Sequence, residues 1–496
     1  MKIIHIETVL AKPHLETSGE IALRSVKNKD NTVKFVYLGK NLLWHDWEIP
    51  SVLRFFRFSK KKRLIDFMSI LNKNKIEILN EDNYDNFQKK SILDWSKNFK
   101  GSINDLYKKK YKNITLGKGV LSSLVSFYRD LNFDTRKHKR EIEKMLFNAA
   151  VILRRTEMLI KLEKPNQIVT FNGRFSVTYP IVALSNKLKI SVLQHDRGSG
   201  FDKFEIYENN IHEKKSRYLA IKKHWKVSQG YKKKIGHLYY IERRQKKKMG
   251  SDFGLHFTSG QRNNYLKFKK KNKILIVYFS STDYEVAAIF NDNNQENKFN
   301  FFYETISKLN YVDLIIRVHP DVKKKNFRED DKWRKYNSTF CTVLESDDKT
   351  DSYKLLETAD IVVGYGSSIL IEALYWKKNV YTLNCNDIYY YSGAIKLIDN
   401  KKNILDIFSK SYKFSNSHLN KCLLFGYYYK TFGKKFKYYN PYDFFNGKFM
   451  NQSLEWKSKI ILFLEKVGLK LLYFYFKDRR FRRPYNFSII NYNNEF

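Results

Sequence analysis

The sequence predicts an α/β protein with two parallel-sheet domains. Apolar runs of strand length alternate with helical patterns in both halves of the chain, and polar residues crowd the ends of those runs. A chain of 496 residues is also too long for a single core. We expect an amino-terminal Rossmann-like domain over 1–225 with a helical insertion around 84–162, a linker over 226–271, a second Rossmann-like domain over 272–425, and a basic helical tail over 426–496.

The amino-terminal domain opens with a βαβ pattern. An apolar run over 2–9 is followed by a helical pattern over 18–26 and by a second apolar run over 33–38. His14 and Glu16 lie in the turn between the first run and the helix. Each is either a candidate base or part of a cap for that helix.

Two later apolar runs of this domain end in polar motifs. The run 167–171 ends in Asn-Gly-Arg, and the run 190–193 ends in Gln-His-Asp-Arg-Gly. The carboxyl ends of parallel strands meet at one edge of a sheet, so these motifs should lie together. Asp196 is the first candidate for a general base, and its alternative role is an ion pair with a neighbouring arginine. The other candidate bases are His195, Glu16 and His14. The residues expected to bind an acceptor or organise the loop are Asn172, Arg174 and Arg197.

A βαβα pattern spans residues 314–383. One apolar strand ends in His319-Pro320, a helix is expected over 351–358, and a strand over 361–363 runs into Gly-Tyr-Gly-Ser-Ser at 364–368. Glycines permit close backbone approach, and a helix that starts with serine leaves free N–H groups that attract a phosphate. The sequence therefore predicts an anion site where these strand ends meet.

Other polar residues near these strand ends belong to the same predicted site. Arg317 precedes His319 by two residues, Ser280 and Ser281 follow another apolar run, and Glu372 lies one turn into the serine-started helix. A carboxylate at that position would accept hydrogen bonds from sugar or ribose hydroxyls rather than bind phosphate. The alternatives are an ordinary capped helix for the Gly-Ser-Ser turn and a packed core residue for His319.

These motifs resemble bacterial capsule and surface-polysaccharide glycosyltransferases, which have the two-domain GT-B architecture, and the related polysialyltransferase and CDP-glycerol glycerophosphotransferase groups. The resemblance is carried by the strand-His-Pro, Asp-Ser-Tyr and strand-Gly-Ser-Ser order, followed by Ile-Glu-Ala and Trp-Lys-Lys, between about residues 272 and 400. It implies two domains facing a cleft, with the donor phosphate held beside the His-Pro histidine and the two serines. The predicted donor-binding residues are His319, Arg317, Ser280, Ser281, Gly366, Ser367, Ser368 and Glu372.

The amino-terminal motifs resemble the same enzymes. The His-Asp-Arg-Gly segment at 195–198 is similar to a His-Glu-Arg-Gly element of that family. Aspartate stands in place of the glutamate here, so a catalytic carboxylate at Asp196 would have a shorter reach.

Together these features predict transfer of a sugar from a nucleotide-sugar donor to a growing surface glycan of the capsule or lipopolysaccharide type. A base would deprotonate the acceptor hydroxyl, and polar groups would stabilise the departing phosphate. We expect no metal and no other cofactor, because the aspartate pairs 330–331 and 347–348 lie in polar loops and the histidines lack ligand spacing. One alternative is polyol-phosphate transfer from a CDP-activated donor, and another is a non-enzymatic binder of nucleic acid or another polyanion.

The formal charge of +42 predicts attraction to polyanions or to an anionic membrane. Residues 454–477 show helical apolar spacing with lysines on another face, ahead of Arg-Arg-Phe-Arg-Arg at 479–483. This tail either lies on a membrane or packs on the domain core. No apolar run is long enough to span a bilayer, and the start does not resemble a signal peptide. We therefore expect a cytoplasmic protein that contacts the inner membrane peripherally through residues 454–483.

Overall fold

The computed structural model describes residues 1–43, 56–128, 130–131, 133–208, 211–228, 230–245, 272–282, 295–320, 328–409, 412–443 and 446–454. Within these residues the chain forms two large sheets in two units, and every pair of strands in the second sheet is parallel. The α/β class and the GT-B pattern of two Rossmann-like sheet units, both predicted from the sequence, are confirmed.

The first sheet has seven strands in the order β13-β6-β5-β4-β1-β2-β3. The strands are β1 Lys2–Glu7, β2 Thr32–Tyr37, β3 Glu77–Ile78, β4 Gln167–Phe171, β5 Ser191–Arg197, β6 Lys203–Tyr207 and β13 Lys434–Lys435. Strands β1 to β5 are parallel, whereas β6 and β13 pair in antiparallel fashion at one side. Because β5, β4 and β1 are adjacent and parallel, the residues that follow them share one edge of the sheet.

Seven helices of the described chain surround this sheet. They are α1 His14–Ser25, α2 Phe56–Lys73, α3 Lys89–Lys97, α4 Ile103–Lys108, α5 Gly117–Tyr128, α6 Lys139–Glu163 and α7 Tyr179–Lys187, with a 3-10 turn at Glu81–Tyr84. Helices α3 to α6 occupy the stretch where a helical insertion is expected, and α6 buries its apolar face in the core. Helix α1 begins at His14, earlier than the predicted start at residue 18, because His14 and Glu16 are buried parts of the helix rather than residues of a polar turn.

The second sheet has six strands in the order β12-β11-β10-β7-β8-β9. They are β7 Ile274–Phe279, β8 Val312–Arg317, β9 Cys341–Leu344, β10 Ile361–Gly364, β11 Asn379–Thr382 and β12 Lys396–Leu397. The helices of this unit are α10 Gln295–Ile306, α11 Arg328–Arg334, α12 Ser352–Thr358, α13 Ile369–Tyr375, α14 Ile388–Tyr391 and α15 Lys401–Ser409. Strands β7, β8 and β10 are apolar runs buried on both faces, as central strands of a parallel sheet require.

Three further helices and a hairpin connect the two units. Helices α8 Lys214–Val227 and α9 Lys232–Arg244 pack on α16 Asn416–Thr431, so part of the stretch expected as a linker is a helix on the second unit. After α16 the chain returns to the first unit, where β13 joins the sheet and the hairpin β14 Tyr439–Pro441 and β15 Gly447–Phe449 lies beside α1.

The predicted membrane tail over 454–483 lies outside the described residues except for Leu454, which is buried. Among the helices that the structure describes, none combines the length and the apolar character needed to cross a bilayer.

Candidate functional site

Three neighbouring strands of the second sheet end in register. Gly364 of β10 pairs with Phe279 of β7, and Phe279 pairs with Arg317 of β8. The turns that follow these residues therefore begin at the same level of one edge. Adjacent strands lie about 4.8 Å apart, so the turns after β10 and β8 begin roughly 10 Å from each other, with the β7 turn between them. All three predicted donor motifs follow these strand ends.

Ser280 ties the β7 turn to the His-Pro turn. Its backbone N–H donates to the Arg317 carbonyl at 3.1 Å, and its hydroxyl accepts from the backbone N–H of His319 at 3.0 Å. Ser280 is buried, whereas Ser281 and His319 are only partly buried. The partial exposure of His319 at the sheet edge favours the ligand-binding interpretation over the packed-core alternative.

The Gly-Tyr-Gly-Ser-Ser turn adopts a conformation that depends on glycine. Gly366 has φ +73°, and a Cβ there would lie 3.2 Å from Nδ2 of Asn384. Ser368 occupies the N-cap position of α13, but its hydroxyl makes no capping bond because its φ of −60° and ψ of −25° are helical rather than extended. Within the described residues, neither the Ser367 nor the Ser368 hydroxyl has a hydrogen-bond partner. Both hydroxyls therefore remain available to a ligand at this edge.

Two of the predicted donor residues make structural contacts. Arg317 is buried and donates to the carbonyls of Glu345 at 2.5 Å and Asp348 at 2.9 Å, which holds the loop after β9. Glu372 is buried and accepts hydrogen bonds from the Tyr353 hydroxyl and from Arg243, the latter at 3.5 Å. Burial and the Glu372 carboxylate raise the pKa of Tyr353, so this hydroxyl keeps its proton. The contacts of Arg317 and Glu372 favour support of the edge over direct binding of a donor.

A buried polar cluster lies at the carboxyl edge of the first sheet. His195 Nε2 and Glu7 Oε1 are 2.8 Å apart, and both side chains are fully buried. Burial raises the pKa of the Glu7 carboxyl, although the nearby His195 opposes this shift. His5 Nδ1 lies 3.2 Å from the Ser18 hydroxyl, and burial together with His195 lowers the pKa of His5 to about 3. His5 is therefore neutral at physiological pH.

Asp196 lies at the end of β5 and is partly exposed. Its carboxylate accepts from the Asn172 side-chain amide at 2.5 Å and from the Arg197 backbone N–H at 2.8 Å. Asn172 has φ 53°, in the left-handed region that asparagine tolerates. Within the described residues Asp196 forms no ion pair with Arg174 or Arg197. The structural alternative to a catalytic role for Asp196 is therefore hydrogen bonding that organises the loop, not an ion pair with a neighbouring arginine. Burial lowers the pKa of Arg197 to about 10, and Asp196 opposes that shift.

His14 and Glu16 both lie in the first turn of α1. The His14 ring centroid is 3.7 Å from that of Phe171, and burial, Arg197, His195 and Arg63 hold the pKa of His14 well below its usual value. Glu16 forms a buried ion pair with Arg63 of α2. The expected capping roles are not observed, because α1 begins at His14 and its N-cap residue is Pro13, which has no side-chain capping bond.

Many buried polar atoms of this edge lack a hydrogen-bond partner within the described residues. They are His5 Nε2, Glu7 Oε2, Thr8 Oγ1, His14 Nδ1, Glu16 Oε2, Thr170 Oγ1, Asn172 Oδ1, His195 Nδ1 and Tyr439 OH. Roughly 90% or more of buried polar groups are paired in folded proteins, so such a concentration needs an explanation. A polar ligand or ordered water at this edge would satisfy them.

Sequence reasoning missed several members of this cluster. Glu7 and His5 lie two residues apart and therefore on the same face of the otherwise apolar strand β1. This spacing of polar residues was the available signal. Arg63 gave no signal, because it lies in a basic helix far from the strand motifs and reaches Glu16 only through the tertiary fold.

In the part of the chain that the structure describes, no group of three or more His, Cys, Asp or Glu side chains is placed to hold a metal ion. A groove of about 840 Å³ lies on the helical insertion, lined by residues that include Phe99, Ser102, Phe133 and Arg136. None of the predicted site residues lines this groove.

No protein-family model and no curated protein matches the chain. Among solved structures it is similar to KpsC, a β-Kdo 2,4-transferase from Thermosulfurimonas dismutans, at 12% identity and TM-score 0.36, over 54% of this chain and 80% of that one. It is also similar to the UDP-GlcNAc 2-epimerase of Methanocaldococcus jannaschii in complex with UDP-GlcNAc and UDP, at 13% identity and TM-score 0.25, over 85% and 98%. A third similar structure is the glycotransferase of kitacinnamycin, at 11% identity and TM-score 0.25, over 86% and 94%. The chain thus has Kdo transferases, UDP-GlcNAc 2-epimerases and a glycosyltransferase among its structural neighbours.

Proposed function

We propose that this protein is a glycosyltransferase that moves a sugar from a nucleotide-sugar donor to a hydroxyl of a growing surface glycan, without a metal. The donor phosphate is held at the edge of the second sheet by His319, Ser367 and Ser368, with Ser280, Ser281 and Gly366 shaping the turns. The acceptor lies at the edge of the first sheet, where a base removes the proton of the attacking hydroxyl.

One observation carries this proposal: β10, β7 and β8 end in register, so that the His-Pro turn, the serine turn and the Gly-Tyr-Gly-Ser-Ser turn lie side by side. Their hydroxyls, imidazole and backbone N–H groups are the donors that a phosphate needs. Donors at such an edge stabilise the negative charge that develops on the leaving phosphate.

The proposed base is Asp196, with His195 as the second candidate. Asp196 is partly exposed at the strand end and held in place by Asn172 and the Arg197 backbone. His195 lies one residue earlier and is fully buried against Glu7. Replacing Asp196 and His195 in separate variants therefore tests which of the two side chains accepts the proton of the acceptor hydroxyl.

A thermal-shift screen with CMP, UDP, GDP and dTDP tests the donor site. At a concentration 100 times its Kd, a nucleotide that binds the folded protein should stabilise it by about 2.7 kcal/mol. His319→Ala should remove most of this shift and leave the melting temperature of the free protein nearly unchanged. The matched control is His138→Ala, which replaces a ring in the helical insertion that packs on Tyr128 and should retain the shift. A full shift in His319→Ala would contradict the proposal, and a large loss of stability in the free variant would indicate a core histidine.

Product analysis tests the reaction. Asp196→Asn should abolish sugar transfer and retain the nucleotide-induced shift, whereas unchanged turnover would exclude Asp196 as the base. A polymer that contains phosphorus in its backbone would instead indicate polyol-phosphate transfer from a CDP-activated donor at the same site. Binding to polyanions that nucleotides leave unaffected, without any transfer, would indicate a non-enzymatic binder.

A further inference from the structure

The helical hairpin formed by α8 and α9 has an outer face that no described part of the protein covers. Its inner face is firmly attached, because Ile221, Tyr239 and Tyr240 are buried in the core of the second unit, and Tyr240 donates to the Cys422 carbonyl on α16 at 2.6 Å. The exposed side chains therefore belong to a fixed surface. We refer to the exposed residues of α8 and of the following turn as the hairpin face: Lys215, Leu219, Lys222, Lys223, Lys226, Val227 and Tyr231.

The hairpin is strongly basic. Residues 214–244 contain eight lysines, three arginines and one acidic residue, Glu242, and that carboxylate is paired with Lys430 of α16. Within the described residues, Lys215, Lys222, Lys223 and Lys226 form no ion pair with a carboxylate. Helical spacing places these four lysines and Leu219 on one side of α8. The face therefore presents a concentrated positive charge to the surroundings.

Large apolar side chains lie among these lysines. Leu219 is 56% exposed, Val227 is 68% exposed and Tyr231 is 81% exposed. Val227 and Tyr231 stand at the two sides of the turn between the helices, so they project at its tip. An anionic membrane surface attracts lysines, and apolar side chains that project beside them enter its interfacial region.

Two segments outside the described residues carry the same sign of charge as the hairpin. Residues 246–271 carry seven lysines and one arginine against one aspartate, and residues 455–496 are also net basic. Repulsion disfavours either segment as a cover for the lysines. A soluble polyanion would satisfy the lysines but would leave Val227 and Tyr231 in water, whereas an anionic bilayer accommodates both.

We propose that the α8–α9 hairpin docks on the surface of an anionic lipid bilayer, with the lysines of the hairpin face at the headgroups and Val227 and Tyr231 in the interface. This surface is distinct from the tail over 454–483, and the proposal does not depend on the proposed transfer reaction. The helix α8 is 14 residues long, and it starts close to His212 and Arg174, beside the edge of the first sheet. A membrane at the hairpin tip would thus lie about 20 Å along α8 from that edge, at a rise of about 1.5 Å per residue.

Vesicle sedimentation of the full chain tests the docking. The probes are phosphatidylcholine vesicles with and without phosphatidylglycerol, in the absence of nucleotide. The protein should bind only the anionic vesicles. The triple variant Lys222→Gln, Lys223→Gln, Lys226→Gln should bind roughly 100-fold more weakly, because each lysine near the surface contributes about 1 kcal/mol. The matched control, Lys90→Gln, Lys97→Gln, Lys100→Gln, removes the same charge from exposed residues of the helical insertion and should bind like the wild type.

A second variant separates the membrane from a soluble polyanion. Val227→Ser with Tyr231→Ser keeps every lysine, so it should bind dextran sulfate normally but lose vesicle binding, most clearly at raised salt where charge attraction is screened. Unchanged vesicle binding by the lysine variant would overturn the proposal and assign membrane contact to another segment. Unchanged vesicle binding by the serine variant would overturn it in favour of a soluble polyanion. The melting temperature of the free protein should stay that of the wild type in both variants, which shows that they fold.

Discussion

Among individual side chains, Glu7 determines which atom of His195 is available for chemistry. The carboxyl group lies 2.8 Å from Nε2 of His195, so Nδ1 is the ring nitrogen that is left for a substrate. Nδ1 is buried and has no partner within the described residues. A carboxylate that orients an imidazole in this way is the arrangement by which many enzymes fix the reactive nitrogen of a histidine base. Glu7 is thus a candidate positioning residue, which acts through His195.

Glu7→Gln tests this role. If His195 is the base, the variant should lower kcat by up to roughly 10⁴-fold, the loss seen when the carboxylate that orients a catalytic imidazole becomes an amide. The KM for the donor and the nucleotide-induced thermal shift should not change, because the donor motifs lie on the other sheet. The control is Glu16→Gln, which removes another buried carboxylate of the cluster, the partner of Arg63. It should lower the melting temperature and should reduce kcat less than Glu7→Gln does. Normal turnover in Glu7→Gln, together with lost turnover in Asp196→Asn, would assign the base to Asp196.

Among the structural elements, the turn between β10 and α13 shows how one residue type sets the shape of the donor edge. Gly366 has a positive φ and approaches Asn384, which follows β11. A side chain at this position would strain the backbone and push on the neighbouring turn. The serine hydroxyls that follow it would then move relative to the His-Pro turn.

Gly366→Ala should lower the free energy of unfolding by about 1–2 kcal/mol, the cost of holding an L-residue in the left-handed region. It should also weaken the nucleotide-induced shift. Gly393→Ala is a matched control, because Gly393 has φ +67° and an added Cβ would meet only the flexible end of Lys421, at 3.3 Å. We expect the control to lose similar stability in chemical denaturation and to bind nucleotide normally. Equal loss of nucleotide binding in both variants would show that the turn has no special role.

The sequence predicted those elements whose patterns are local. Strands β7, β8 and β10 are apolar runs that end at a serine, a His-Pro pair and a glycine turn, and each was found where the pattern placed it. The start of α1 was mispredicted because polar His14 and Glu16 look like turn residues, yet tertiary contacts bury them. Strand β13 is a pair of lysines whose pairing with β6 arises only when the chain returns from α16, and no local pattern indicates it.

The candidate site was predictable in part for the same reason. Strand-end motifs identified His195, Asp196 and His319 as residues of the two edges, because parallel strands bring their carboxyl ends together. Contacts between distant segments could not be read from the chain. The pairing of Glu7 with His195 spans 188 positions, and the inward contacts of Glu372 depend on Tyr353 and Arg243 from other helices.

For the molecule as a whole, the segment after α16 joins the two units. Helix α16 packs on α9 and α13, and the following residues then lie against the first unit. Glu20 of α1 accepts hydrogen bonds from the backbone N–H groups of residues 437, 438 and 439, at 2.9, 2.6 and 3.1 Å. Phe449 of β15 is fully buried, and it lies so close to Gly19 that a Cβ at Gly19 would be 2.6 Å from the Phe449 ring. These contacts, together with the pairing of β13 with β6, attach the segment to the first unit.

Glu20→Gln tests whether these contacts stabilise the first unit. Glutamine keeps one acceptor oxygen but turns an N–H₂ donor toward backbone donors, so the free energy of unfolding should fall by about 1.5–3 kcal/mol, the value of a hydrogen bond to a charged group. Limited proteolysis should cut residues 432–454 faster than in the wild type. The nucleotide-induced thermal shift should persist, because the donor motifs belong to the second sheet. The rate of sugar transfer should fall, because the proposed acceptor site lies on the first unit, which becomes less ordered. The control Glu304→Gln changes an exposed carboxylate and should alter none of these measurements. If Glu20→Gln instead lost nucleotide binding while the segment stayed resistant to protease, the segment would serve the donor site directly rather than hold the acceptor side in place.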